Sequence, residues 1–122
     1  MPRKILVVED DKFVRELIVQ KLTEEEFEVS SAKDGEEGVK KTESEKPDLI
    51  LLDLILPGID GFEVLSIIRK NPLIEKIPVI ILSNLGEKID VDRGIKLGAN
   101  DYLIKAHFTP KEIVEKVRTI LK

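Results

Sequence analysis

Residues 48–61 read DLILLDLILPGIDG. DLILLD (48–53) sets four consecutive apolar residues between two aspartates. A short continuous apolar run of this kind reads as a strand buried on both faces. It is the most hydrophobic such run in the chain, so it belongs at the centre of a sheet. PGIDG (57–61) follows as a loop, and FEVLSIIRK (62–70) returns to a helical period. The strand therefore ends on an acid, Asp53, just before a loop. That placement frames the rest of the sequence.

The same alternation extends in both directions. ILVV (5–8) is a second buried strand, and FVRELIVQKL (13–22) places Phe13, Leu17, Ile18 and Leu22 at helical spacing. FEVSSA (27–32) alternates like a strand near a sheet edge, and residues 35–45 form a polar helix around Val39. VIIL (79–82) is a buried strand after Pro78. Residues 86–97 form a weaker helix with Ile89, Ile95 and Leu97 as its anchors, and DYLI (101–104) is a fifth strand. Thr109 caps the last helix, Pro110 takes its first position and Glu112 completes a capping box. Ile113, Val114, Val117, Ile120 and Leu121 form its buried stripe. Five βα units with continuous apolar strands predict an α/β, doubly wound parallel sheet covered on both faces.

Composition agrees with a single domain, residues 1–122. Apolar residues make up 42% and charged residues 36% of the chain, as in a globular protein. The longest apolar run, LILLDLIL (49–56), is broken by Asp53 and falls well short of the roughly 18 residues of a membrane span. The start lacks a signal-peptide pattern. Cysteine is absent, which excludes disulfides and thiolate chemistry. Together these favour a cytoplasmic location. A net charge of −4 gives no electrostatic footprint for nucleic acid.

In open α/β sheets, ligands bind outside the carboxyl ends of the strands. Strand one ends in Glu9, Asp10 and Asp11, strand three in Asp53, strand four in Ser83 and strand five in Lys105. Taken singly, an acid pair after a strand is a helix-start signal, a serine is a cap, and a lysine is solvated. On four strands at one edge they make a site. Crowded carboxylates repel unless a cation intervenes. Oxygen ligands without histidine or cysteine favour a hard ion, and Mg2+ commonly takes one or two carboxylates with a phosphate oxygen. Lysine and serine can then bind phosphoryl oxygens while one carboxylate, best Asp53, attacks phosphorus.

These residues carry a resemblance. ILVVEDD, LLDLILPGIDG, VIILSN and GANDYLIK resemble, over essentially the whole chain, the receiver domain of two-component response regulators. The resemblance implies a flavodoxin-like fold with strand order 2-1-3-4-5. It implies that Glu9 and Asp10 bind Mg2+, Asp10 directly, with Asp53 and the backbone carbonyl of Ile55 as further ligands. It implies that Asp53 is phosphorylated by a sensor histidine kinase or phosphotransfer protein, that Ser83 and Lys105 bind the phosphoryl group, and that Tyr102 is a rotameric switch. Output then passes to a downstream protein through helix four, strand five and helix five. Asp11 reads as a helix-start residue favoured by the dipole.

Three positions depart from the family pattern. The family lysine usually precedes a cis proline, whereas Lys105 precedes Ala106. A cis bond before alanine costs about 2.5–4 kcal/mol, so a trans bond with a rebuilt loop is expected. Asn84 stands where a small residue is usual, and either crowds the phosphoryl pocket or adds a donor. Ile55 and Leu85 occupy positions that tune phosphoryl lifetime, and neither can orient a water. Slow self-dephosphorylation follows.

The primary reading is a phosphorylation-dependent switch, not an enzyme except toward its own phosphoryl group. The alternative is a phosphorylation-independent binding module of the same fold. An aspartate-nucleophile phosphatase would need an acid at position 55, a flavin carrier a phosphate loop after strand one, and a histidine phosphotransfer protein a helical bundle. His107, the lone histidine, has no partner acid and reads as structural or solvated. No output domain follows the last helix, so a stand-alone regulator or excised receiver is expected. It would contact neither nucleic acid nor membrane, and would be a monomer or a phosphorylation-dependent dimer.

Overall fold

The computed structural model describes residues 2–122; Met1, the first residue of the expected 1–122 domain, lies outside them. Strands and helices alternate in chain order: β1 Lys4–Val8, α1 Lys12–Glu24, β2 Glu28–Ala32, α2 Gly35–Glu45 and β3 Leu49–Leu52. There follow α3 Gly61–Lys70, β4 Val79–Ser83, α4 Lys88–Lys96, β5 Asp101–Ile104, a 3-10 turn at Lys105–His107, and α5 Pro110–Leu121. The sheet is parallel with order β2-β1-β3-β4-β5, the flavodoxin-like order. DLILLD supplies its central strand.

Side chains of successive strand residues point to opposite faces, and the core divides accordingly. Leu49 and Leu51 of β3 join Ile5, Val7, Ile80, Leu82 and Leu103 against α1 and α5. Ile50 and Leu52 join Leu6, Val8, Val79 and Ile81 on the opposite face, against Val64, Leu65 and Ile68 of α3. All four residues of β3 are buried, which explains why this run is apolar on both faces.

The capping box on α5 forms as expected: Glu112 N–H donates to Thr109 Oγ1 at 3.2 Å, and Thr109 N–H donates to Glu112 Oε1 at 2.8 Å. Helix α1 differs from expectation. Ile18 and Leu22 are buried and Val14 packs beside them, whereas Phe13 is 78% exposed and Leu17 44%. The helix buries the 14–18–22 row, and Phe13 and Leu17 lie one position round from it. In α4 the expected anchors Ile89 and Ile95 are exposed. The buried position is Gly94, where a Cβ would come within 2.6 Å of Ile81 Cδ1 and 3.1 Å of Tyr102. The helix thus sits on the sheet by close backbone approach, with Leu97 half-buried at its end. Its N-cap, Glu87, makes no side-chain capping bond. Few buried contacts and an uncapped start give α4 the character of a low-stability element.

Candidate functional site

Strand register builds the site. Val8 pairs with Leu52, so Glu9 and Asp53 leave neighbouring strands side by side, and Asp53 N–H donates to Val8 O at 3.0 Å. Ser83 pairs with Ile104, one residue before Lys105. The chain leaves β3 tightly: a Cβ on Gly61 would lie 2.3 Å from the carbonyl oxygen of Asp53. Only glycine allows the start of α3 to pass so close to the Asp53 backbone.

Glu9, Asp53 and Ser83 are buried, and Asp10 is exposed. The carboxylates of Glu9, Asp10 and Asp53 offer oxygens that all lie within 4.8 Å of one another. Lys105 reaches across the end of β4 to this group. Its ammonium donates to Asp53 Oδ2 at 2.8 Å and also pairs with Glu9. Asp53 Oδ1 accepts the N–H of Ile55 at 3.2 Å, and Glu9 Oε2 accepts that of Asp11 at 3.1 Å.

Three carboxylates against one ammonium leave two negative charges in a pocket that is largely buried. Burial holds Glu9 above its ordinary value; the Lys105 hydrogen bond opposes this, and the charge of Asp53 reinforces it. Burial pulls Lys105 down, but hydrogen bonds to Asp53 and Glu9 outweigh it and leave the ammonium above its ordinary value. The acids of the cluster thus outnumber the one ammonium paired with them. An all-oxygen donor set suits a hard ion, so the residues are compatible with a divalent metal such as Mg2+.

Ser83 Oγ accepts the N–H of Leu85 at 3.4 Å, which leaves its O–H proton to donate. Tyr102 is half-buried on β5, and its hydroxyl donates to the carbonyl of Leu85. Burial first, then the charges of Asp90 and Asp53, push its phenol up to about 12. The structure thus brings Glu9, Asp10, Asp53 and Lys105 together, with Ser83 ending the strand between β3 and β5 and Tyr102 tied to the loop after Ser83. Ile55 lies at the rim, 55% exposed.

All peptide bonds among the described residues are trans, Lys105–Ala106 included. The loop after Lys105 winds into the 3-10 turn, and Lys105 still reaches Asp53. Asn84 shows neither a donor contact nor the expected choice between donor and crowding: its Oδ1 accepts the N–H of Ala106 at 3.2 Å. His107 is exposed, in keeping with a solvated residue. Sequence reading missed Arg15, whose guanidinium donates to the carbonyls of Glu9 at 2.8 Å and Asp10 at 3.2 Å. A side chain that grips main-chain oxygens leaves no pattern of residue types to read.

Comparison with known proteins agrees with this geometry. Residues 5–118 match the family model of the response regulator receiver domain. The chain is 42% identical over 122 residues to the alkaline phosphatase synthesis transcriptional regulatory protein PhoP of Bacillus subtilis, covering 100% of this chain and 50% of that protein. It thus spans about half the length of this curated relative. Among solved structures, a putative response regulator from Chloroflexus aurantiacus superposes with a TM-score of 0.92 at 36% identity, covering 99% of this chain and 98% of the other. The BeF3-activated N-terminal receiver domain of Klebsiella pneumoniae RstA superposes with a TM-score of 0.90 at 31% identity, covering 98% of each. No helix among the described residues is long and apolar enough to cross a membrane. The chain belongs to the receiver domain family of two-component response regulators.

Proposed function

We propose that residues 1–122 act as one receiver unit, a phosphorylation-dependent switch in which Asp53 accepts a phosphoryl group with the help of Mg2+. The observation that carries this reading is Asp53 itself: a buried carboxylate ending the central strand, 2.8 Å from an ammonium and clustered with two further acids. The donor is a sensor histidine kinase or a phosphotransfer protein. An Asp53 oxygen forms the new P–O bond as the P–N bond of the donor phosphohistidine breaks. The departing imidazole nitrogen keeps the bonding electrons and takes up a proton.

Glu9 and Asp10 would hold Mg2+, Asp10 directly, together with Asp53 and the backbone carbonyl of Ile55. The ion supplies positive charge to phosphoryl oxygens, the main requirement of phosphoryl transfer. Lys105 neutralises a second oxygen with its ammonium, and Ser83 donates its O–H to a third. Tyr102 reports the state of the site through its bond to the Leu85 carbonyl. The readout face is α4, β5 and α5, presented in the cytoplasm to a downstream protein and not to nucleic acid or membrane. The chain works as a monomer or as a dimer formed on phosphorylation. It assists only its own phosphorylation and dephosphorylation.

A second reading is a binding module that never takes phosphate. On its side stands the closed network in which Lys105 already satisfies both Asp53 and Glu9. Incubation with acetyl phosphate and Mg2+, followed by intact-mass measurement, separates the two. The switch gains one phosphoryl group that is absent from Asp53→Ala; the static module gains none.

A further inference from the structure

Two contacts tie β5 and its following turn to the loop after β4. Tyr102 donates its hydroxyl to the Leu85 carbonyl, and Ala106 donates its backbone N–H to Asn84 Oδ1 at 3.2 Å. Lys105 lies between the two donors in the chain, and Ser83 immediately precedes the acceptor Asn84. We propose that Asn84 is a positioning residue: by holding the Ala106 N–H it fixes the backbone just after Lys105, and so sets the Lys105 ammonium against Asp53. The role deepens the phosphoacceptor reading of Asp53 and rests on it.

The need for such a tie follows from the local backbone. Lys105 opens a 3-10 turn of three residues, Lys105–His107, none of them buried. The first N–H groups of a helical turn have no partner within the turn, and Ile104, which precedes it, supplies no side-chain cap. Asn84 satisfies one of these donors from the loop after β4. Downstream the turn is held by Phe108, which packs against the α1/α5 side of the core. Upstream, Asn84 Oδ1 is the one side-chain acceptor for a backbone N–H of the turn among the described residues. Lysine is long and has many rotamers, so its reach to Asp53 depends on where its backbone is fixed.

The tie also joins the two phosphoryl-binding groups. Ser83 and Lys105 come from strands β4 and β5, and the Asn84–Ala106 bond links the residues that follow them. A shift of Ser83 toward a ligand oxygen is thereby transmitted to Lys105. Asparagine suits the task because its carboxamide carries an acceptor without adding charge to a site that already holds surplus negative charge.

The test compares wild type with Asn84→Ala and the similarly sized Asn84→Leu, each also in a Lys105→Ala background. Backbone amide exchange at Ala106, read without Mg2+ or phosphodonor, reports the contact independently of phosphorylation. It should quicken about fivefold when the acceptor is removed, as for one ordinary hydrogen bond. Phosphorylation by acetyl phosphate with Mg2+ should slow by about the same factor in both Asn84 variants. The thermal midpoint should fall by no more than the few degrees that one hydrogen bond is worth, and the Asn84 effect on phosphorylation should vanish once Lys105 is alanine. A labelled wild type with Asn84 variants of equal rate overturns the role alone, as does an equal loss in the Lys105→Ala background or unchanged exchange at Ala106. A wild type that takes no label overturns the phosphoacceptor reading, and the role with it, whatever the exchange at Ala106 does.

Discussion

The ammonium of Lys105 bridges two carboxylates, donating to Asp53 Oδ2 at 2.8 Å while pairing with Glu9. Asp53 and Glu9 leave adjacent strands, and Lys105 reaches them from a third, across the end of β4. The lysine is thus the only cation paired with these two buried acids among the described residues, and removing it exposes the electrostatics of the site.

Lys105→Met leaves Glu9 and Asp53 buried together without a counter-charge. Breaking a buried pair from one side costs about 3 kcal/mol. Chemical denaturation in a metal chelator should show a loss of this size, with Mg2+ recovering part of it. An unchanged denaturation midpoint would mean that the carboxylates are not held against each other.

Mg2+ itself should stabilise the wild-type chain by mass action. At about 100 times its dissociation constant the gain is about 2.7 kcal/mol. Asp10→Ala removes the exposed member of the acid cluster and should abolish most of the gain. Thermal unfolding with and without Mg2+ checks this. An equal gain in both proteins would place the ion elsewhere.

The chain has one tyrosine and no tryptophan, so tyrosinate absorbance reads Tyr102 alone. In the folded chain its midpoint should lie near about 12, against 10.0 for the free group. A raised folded value means that the neutral phenol favours folding. That contribution is complete below pH 10 or so and is lost as pH rises toward the folded midpoint. Circular dichroism should therefore show stability falling across that window, and Tyr102→Phe should remove this part of the fall. A midpoint at the free value in folded protein would mean that the hydroxyl is solvated and not tied to Leu85.

Ile55 stands exposed at the rim of the site and cannot orient an attacking water. Ile55→Asn should shorten the lifetime of the phosphorylated state by about tenfold, less than a fully positioned base would give. Decay of the phosphorylated protein, followed by mass, measures it. Leu85→Glu should act in the same direction but less cleanly, because Leu85 packs on the core. Equal lifetimes in wild type and Ile55→Asn would remove the shielding explanation.

Gly94→Ala places a methyl group where Ile81 lies 2.6 Å away and Tyr102 3.1 Å. Overpacking of this kind costs about 1–3 kcal/mol and should lift α4 from β5. Urea denaturation and amide exchange in α4 read both effects. A fully wild-type α4 would show that the helix does not rest on this glycine.

How much of this was legible follows from the kind of signal each residue leaves. β3 was readable because burial on both faces demands an unbroken apolar run. The α5 start was readable because Thr109, Pro110 and Glu112 each meet a fixed local requirement. The acids, Ser83 and Lys105 were readable as strand-end residues once five βα units put those ends on one edge. Helix faces were less so: Phe13 and Leu17 share the i, i+4 spacing of Ile18 and Leu22, and only packing decides which row turns inward. Gly94 as the seat of α4 was hidden, because a close approach shows in sequence only as a missing side chain. The contacts of Arg15 and Asn84 were hidden for a further reason: each partner is a backbone group, and every residue carries one.

The most direct test of the switch is the amide spectrum of the chain with Mg2+, before and after adding beryllofluoride as a phosphoryl mimic. The switch predicts shifts that start at Asp53 and Ser83, pass through Leu85 and Tyr102 to α4 and α5, and disappear in Asp53→Ala. A spectrum that does not move, or that moves equally in Asp53→Ala, would contradict it and leave a binding module that Asp53 does not control.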